Sequence, residues 1–183
     1  KFHYNKQTLF CSCLIFLFTI SSVLLILRHE SWTDESMQWI YARDYPMMSY
    51  IMNRDFYGFT YPIEITHIIT PILFNLGLPY ASYPFMNFLA MLISIILFLS
   101  YAPFTKVQKT LFIFGYYIFY EYNVIARSWA YSILFLFCLA IVYKDRFKRP
   151  FLYHIFLFLL ALTHIYVFIL ATILAAVYYF EFF

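Results

Sequence analysis

The sequence is poor in charge. Only 11% of its 183 residues are Asp, Glu, Lys or Arg while 64% are hydrophobic, against about 25% charged in ordinary globular chains. That excludes a soluble globular domain and is read as an integral membrane protein. The three cysteines, Cys11, Cys13 and Cys138, all lie inside hydrophobic runs. They suggest neither a disulfide framework nor a Cys-based metal site. No Asn-x-Ser/Thr acceptor, phosphate-binding glycine loop or nucleic-acid motif occurs, so nucleic acid is not an expected partner. No small-x-small cleavage site precedes Arg28, so the first hydrophobic run is read as a retained helix and not as a signal peptide. The chain begins at Lys1 without an initiator Met and ends on a hydrophobic run. We therefore read residues 1–183 as one transmembrane domain, the N-terminal fragment of a longer protein.

Aromatic residues are abundant instead, with 24 Phe and 19 Tyr making most of a 25% aromatic content. Interfacial belts alone do not need so many, and the excess is assigned to compositional bias.

A membrane-crossing helix takes about 20 apolar residues. Candidates lie at about 8–27, 84–101, 110–122, 128–143, 151–162 and 165–183, the third and fifth being short. The fold class expected is thus an all-α membrane protein of about six transmembrane helices. Its first outer loop, residues 28–83, carries amphipathic or re-entrant helices.

Charge orients the helices. Lys106 and Lys109 mark one short loop and Lys144, Arg146, Lys148 and Arg149 another, and short basic loops prefer the cytoplasm. The N-terminus, with Lys1 and Lys6, then lies inside as well. The polar island at residues 28–64 faces the outside or lumen. Glu121, Asn123 and Arg127 join it at a second outer turn, and Thr163-His164 marks a third.

The island holds six of the nine acidic residues, two of them adjacent at Asp34-Glu35. A charge facing lipid costs roughly 2.5–3.5 kcal/mol even on lenient scales, so function is sought there. Ser31 or Thr33 is expected to cap a helix running to about Asp44. Asp34 and Glu35 in its first turn suit the helix dipole, with Arg28 or Arg43 as ion-pair partners. Met37, Trp39, Ile40 and Tyr41 suit an element at the membrane surface. A loop at 53–62 and a second surface or re-entrant helix at 63–76, bearing Glu64, His67 and Pro71, complete the island. On local grounds Asp34 and Glu35 are either a helix cap or a chemical pair, one carboxylate taking a proton while the other orients it or binds a metal.

The run Asp34-Glu35-Ser36-Met37-Gln38-Trp39-Ile40-Tyr41-Ala42-Arg43 resembles the Asp-Glu and Ala-Arg spacing that opens the first outer loop of GT-C superfamily membrane glycosyltransferases. The likeness is to the branch of protein O-mannosyltransferases and bacterial lipid A aminoarabinose transferases. Gly58 through Pro62-Ile63, then Leu76-Gly77, is similar to the stretch that follows there, without its double Pro. Glu121 and Arg127 look like the acidic and basic residues of the next outer turn, and Thr163-His164 like a later outer helix end. The resemblance spans about residues 9–170.

It implies an inverting transfer of a sugar from a polyprenyl-phosphate donor to an acceptor on the outer or lumenal side. Asp34 would act as general base and Glu35 as the residue positioning it or the acceptor. Arg127 and Arg43 would face the departing phosphate, because a guanidinium donates paired hydrogen bonds. Glu121 and His67 would form an acceptor or second acidic site. No metal site and no cofactor are expected, a divalent metal having no support in the residues. The partners implied are the lipid-linked sugar, the bilayer and other membrane subunits. Two other readings remain open on sequence: a non-catalytic structural subunit of a membrane assembly, and a transporter lined by Glu121, Arg127 and His164.

Overall fold

The computed structural model describes the backbone at residues 6–52, 55–56, 59–60 and 64–183, and side chains at 7–49 and 64–183. Lys1, most of the loop expected at 53–62, and the stretch from Gly58 to Pro62-Ile63 except Phe59 and Thr60 fall outside those residues.

Between its turns and loops the described chain is helical, apart from one two-residue antiparallel pairing, β1 (Asp55–Phe56) with β2 (Phe59–Thr60). Helix α1 (Lys6–Ile26) is followed by α2 (Thr33–Asp44), α3 (Met47–Met52) and α4 (Thr66–Asn75). The bundle continues with α5 (Ser82–Tyr101), α6 (Lys106–Ile113), a π-helical turn at Tyr117–Glu121, α7 (Trp129–Val142), α8 (Pro150–Ala161) and α9 (Ile165–Phe182). Three helical stretches, Gln7–Ile26, Ser82–Tyr101 and Ile165–Phe182, are long and apolar enough to cross a membrane. On α1 and α9 most of the apolar surface is exposed, as at Phe16, Leu24, Phe168 and Ile173. Such surface wants lipid or another apolar partner.

Local chemistry sets the element ends. Gly77 stops α4 in the left-handed region at φ 71°, and Leu78 N–H donates back to Leu73 C=O at 3.2 Å, closing the turn that only glycine adopts without strain. Thr105 and Gln108 form a reciprocal capping box at the start of α6. Pro150 opens α8, where its missing N–H costs nothing. The run expected as one span at 110–122 is broken after Ile113, because the chain turns at Phe114-Gly115 and resumes as the π-helical turn. The cap expected from Ser31 or Thr33 is corrected as well. Trp32 occupies the N-cap position of α2, and the Glu35 carboxylate satisfies its N–H at 2.8 Å.

Helices α5, α7, α8 and α9 pack in sequence, with α1 on the far side of α5. The main core joins Phe18, Phe88, Met91, Ile95 and Ile113, and a second cluster joins Leu139, Tyr153, Leu157 and Leu160. Cross-chain contacts define two ends of the bundle. At one end Lys106 lies over the Phe10 ring at 5.2 Å, Lys109 Nζ donates to Leu99 C=O at 2.7 Å, and Arg146 pairs with Glu181 at 2.5 Å. At the other, Asn123 donates to Ser22 at 2.7 Å, Ser132 to Thr163 at 2.8 Å, and Ile65 N–H to Leu162 C=O at 2.7 Å. The basic loops therefore share one end, and α2–α4 cover the other.

Met37, Trp39, Ile40 and Tyr41 are each partly buried. Trp39 sets its ring edge-on to Phe74 and Tyr80, at 5.9 and 5.7 Å between centroids. Trp39 thus packs onto Phe74 of α4 and onto Tyr80 in the segment after it.

Candidate functional site

Four segments distant in sequence converge at the covered end: the first turn of α2, the start of α4, the turn 122–128, and the junction of α8 with α9. They enclose a cavity of about 250 Å³, lined among others by Asp34, Glu64, Thr66, Arg127, Ser128 and His164.

The turn 122–128 is held from behind. Asn87 on α5 is fully buried, and its Nδ2 donates to the carbonyls of Tyr122 at 3.0 Å, Asn123 at 3.1 Å and Ile125 at 3.4 Å. A carboxamide donating to three carbonyls fixes an irregular segment that has no helical ladder of its own. The irregularity is what lets Glu121 and Arg127, six residues apart, face each other, as they would not on a continuous helix.

Arg127 is the electrostatic centre. Its Nε lies 2.6 Å from Asp34 Oδ2, and its Nη1 donates to Glu121 Oε1 at 3.1 Å. The guanidinium carbon sits 5.1 Å above the Trp32 ring, a cation–π contact. The Nε–H is buried and is not directed along the Asp34 contact, so it lacks a well-aligned acceptor. Tyr116 O–H donates to the second Glu121 oxygen at 3.3 Å.

Glu35 has a different task. It is 1% exposed, and its carboxylate accepts from Ala126 N–H at 2.5 Å, from Trp32 N–H at 2.8 Å, and meets His29 Nε2 at 2.9 Å. The structure places Glu35 outside the cavity lining, where it pins α2 to the turn carrying Arg127 and so positions Asp34 only through the backbone. Arg43 also lies outside the lining: it is exposed and pairs with its neighbour Asp44 at 2.6 Å. His67 does line the cavity, but its Nδ1 accepts the Glu64 N–H at 3.0 Å and so caps the entry to α4.

The groups that sequence reasoning passed over are Glu64, Thr66, Ser128 and Trp129. Glu64 Oε2 accepts from Ser128 Oγ at 2.9 Å, and Oε1 lies 3.9 Å from His164 Nε2. Burial without a close cation raises the Glu64 carboxyl to about 7, the Ser128 hydrogen bond pulling the other way. His164 caps α9, its Nδ1 accepting from Tyr166 N–H at 3.4 Å, and its ring stacks on Trp129 at 4.4 Å. Burial lowers its pKa, favouring the neutral ring. With Nδ1 accepting, the proton is on Nε2, facing Glu64. One signal in the sequence does point to Glu64: it is the single carboxylate of an otherwise apolar run, the setting in which an ionisable group is functional by default.

Among the described residues no three His, Cys, Asp or Glu side chains gather as a metal site. Comparison with protein-family models, curated proteins and solved structures yields no match. The arrangement therefore has to be read from its own chemistry: a helical bundle with a polar cavity at one end, one guanidinium at its edge and two carboxyl groups on its wall.

Proposed function

We propose that the chain is an integral membrane protein of about six crossings, with the cavity end outside or lumenal and the N-terminus and basic loops cytoplasmic. Its class is that of a membrane-embedded transferase. More narrowly, it is a GT-C-type glycosyltransferase that moves a sugar, with inversion, from a polyprenyl-phosphate donor to an acceptor.

The observation that carries the reading is the meeting of Asp34, Glu64 and Arg127 at one cavity beside the apolar bundle, with Glu121 holding Arg127 from outside the lining. A scaffold has no need to gather these residues from three segments around one cavity. In the transfer, the acceptor hydroxyl attacks the anomeric carbon from the face opposite the phosphate. Arg127 faces the negative charge that grows on the departing phosphate, where an aimed guanidinium stabilises the transition state more than the ground state. Asp34 and Glu121 hold that guanidinium in place. A carboxylate in the cavity takes the hydroxyl proton, and Asp34 is the one nominated by the resemblance.

The test supplies radiolabelled polyprenyl-phosphate mannose and glucose to the purified protein in lipid nanodiscs. Wild type should transfer label, and Arg127→Lys, which keeps charge but loses the paired donors, should lower kcat at least tenfold. Absence of transfer by the wild-type protein with every donor refutes the enzyme reading and favours a structural subunit.

A further inference from the structure

We propose that Glu64, held by Ser128 and faced by His164, is the residue that takes the proton from the attacking hydroxyl, while Asp34 serves to position Arg127. The inference rests on the glycosyl-transfer reading and assigns its base.

Geometry separates the two carboxyl groups. Asp34 commits an oxygen to Arg127 at 2.6 Å, and its side chain is 55% exposed. A carboxylate so placed is engaged by the cation that must face the phosphate, on the solvent side of the cavity. Glu64 is 19% exposed and, among the described residues, has no cation within ion-pair distance, only the neutral His164 at 3.9 Å from Oε1. An incoming hydroxyl can donate to Glu64 Oε1, the oxygen that Ser128 leaves open to the cavity. The other titratable or charged groups on this cavity are Asp34 from α2, His67 from α4, Tyr83 from α5, Arg127 from the turn 122–128 and His164 from the start of α9. Arg127 is engaged by Asp34 and Glu121, so among the described residues of this cavity no free cation holds Glu64 ionised. A carboxyl that titrates near neutrality matches the working pH of a general base.

In the step, the acceptor O–H bond breaks and its proton passes to the Glu64 carboxylate. The oxygen forms the new bond to the anomeric carbon, and the carbon–oxygen bond to phosphate breaks with its electron pair staying on the phosphate. Glu64 then loses the proton to water through the cavity mouth.

Two measurements on the full chain test this. First, kcat/KM is followed from pH 5.5 to 9 with the transferable donor. Wild type should show an acidic limb near pH 7. Glu64→Gln should lose roughly 10²- to 10⁴-fold and flatten that limb, whereas Asp34→Asn should weaken turnover but keep the limb. A Glu64→Gln protein with normal rate and an intact limb, with the limb abolished in Asp34→Asn, overturns the assignment. Second, a hydrophobic carbodiimide, which modifies protonated carboxyl groups, is applied at pH 6 and 8.5 and the adducts mapped by mass spectrometry. Glu64 should be labelled at pH 6 and spared at 8.5, and helix content by circular dichroism should match between variants. No adduct at Glu64, or one independent of pH, also overturns it. Because labelling needs no donor, a protein that labels as expected yet transfers nothing refutes the glycosyl-transfer reading and leaves Glu64 as the proton-exchanging carboxyl of the cavity.

Discussion

Replacing Glu35 by Gln separates structure from chemistry at the Asp34-Glu35 pair. The Glu35 carboxylate receives backbone N–H groups from Trp32 and Ala126 and faces His29, all at 2.9 Å or less, inside a site 1% exposed. Gln has one carbonyl oxygen. If it stays on Ala126 N–H, the new NH₂ meets the Trp32 N–H, and two donors oppose each other in a buried site. His29 can change tautomer and accept, so the Trp32 contact is the one lost outright, its N–H left buried against another donor, while the other two exchange a charged partner for a neutral one. Hydrogen bonds to charged groups contribute about 1.5–3 kcal/mol each, and an orphaned buried donor costs about 1–3, so Glu35→Gln should destabilise by roughly 2–4 kcal/mol. Glu35→Ala should cost roughly 3–5 kcal/mol, as when one partner of a buried pair is removed. The assay is equilibrium unfolding in mixed micelles, followed by circular dichroism, with transfer measured on the folded fraction. If Glu35→Gln unfolds within about 0.5 kcal/mol of wild type, the size of ordinary surface substitutions, yet abolishes transfer, the structural reasoning is refuted and Glu35 returns to the chemistry.

Glu64 also predicts a pH dependence of stability. Its carboxyl is raised from 4.5 to about 7 in the fold. Below 4.5 it is protonated in folded and unfolded chains alike, and its contribution is fully present. As pH rises the unfolded chain ionises first, so stability falls until about pH 7, by about 3 kcal/mol from this group. Unfolding at pH 5 and 8 should therefore show wild type losing stability that Glu64→Gln does not lose, and parallel losses in both would sink the argument. Asn87→Ala should cost about 1–3 kcal/mol by leaving carbonyls of the turn 122–128 unsatisfied. It should also lower kcat more than that loss explains, because Arg127 rides on the turn; a stable variant with normal kcat would show that the clamp is dispensable.

Much of the helical layout was legible from hydropathy and charge. The apolar runs at 8–27, 84–101, 128–143, 151–162 and 165–183 lie close to α1, α5, α7, α8 and α9, because a long apolar run has few ways to satisfy its backbone except as helix. The break in the run at 110–122 was not legible. Apolar residues continue on both sides of Phe114-Gly115, so hydropathy alone does not mark the turn there, and the irregular turn 122–128 beyond it is held by Asn87 from another helix. The Ser31 or Thr33 cap failed for a related reason: a hydroxyl is a good cap locally, but Glu35 already reaches back to Trp32 while it holds Ala126.

The sequence by itself determined the helical character, the apolar spans, and the grouping of acidic residues away from the basic loops, since all three follow from one-dimensional patterns of apolar and charged residues. Only the tertiary structure decided what each carboxyl does. Asp34 and Glu35 are neighbours in the chain, yet one turns to Arg127 and the other into the protein, because adjacent residues on a helix point about 100° apart. Glu64 joins them across the fold, where burial beside Ser128 and His164 sets its chemistry. Burial and distance between remote segments exist only once the chain has folded.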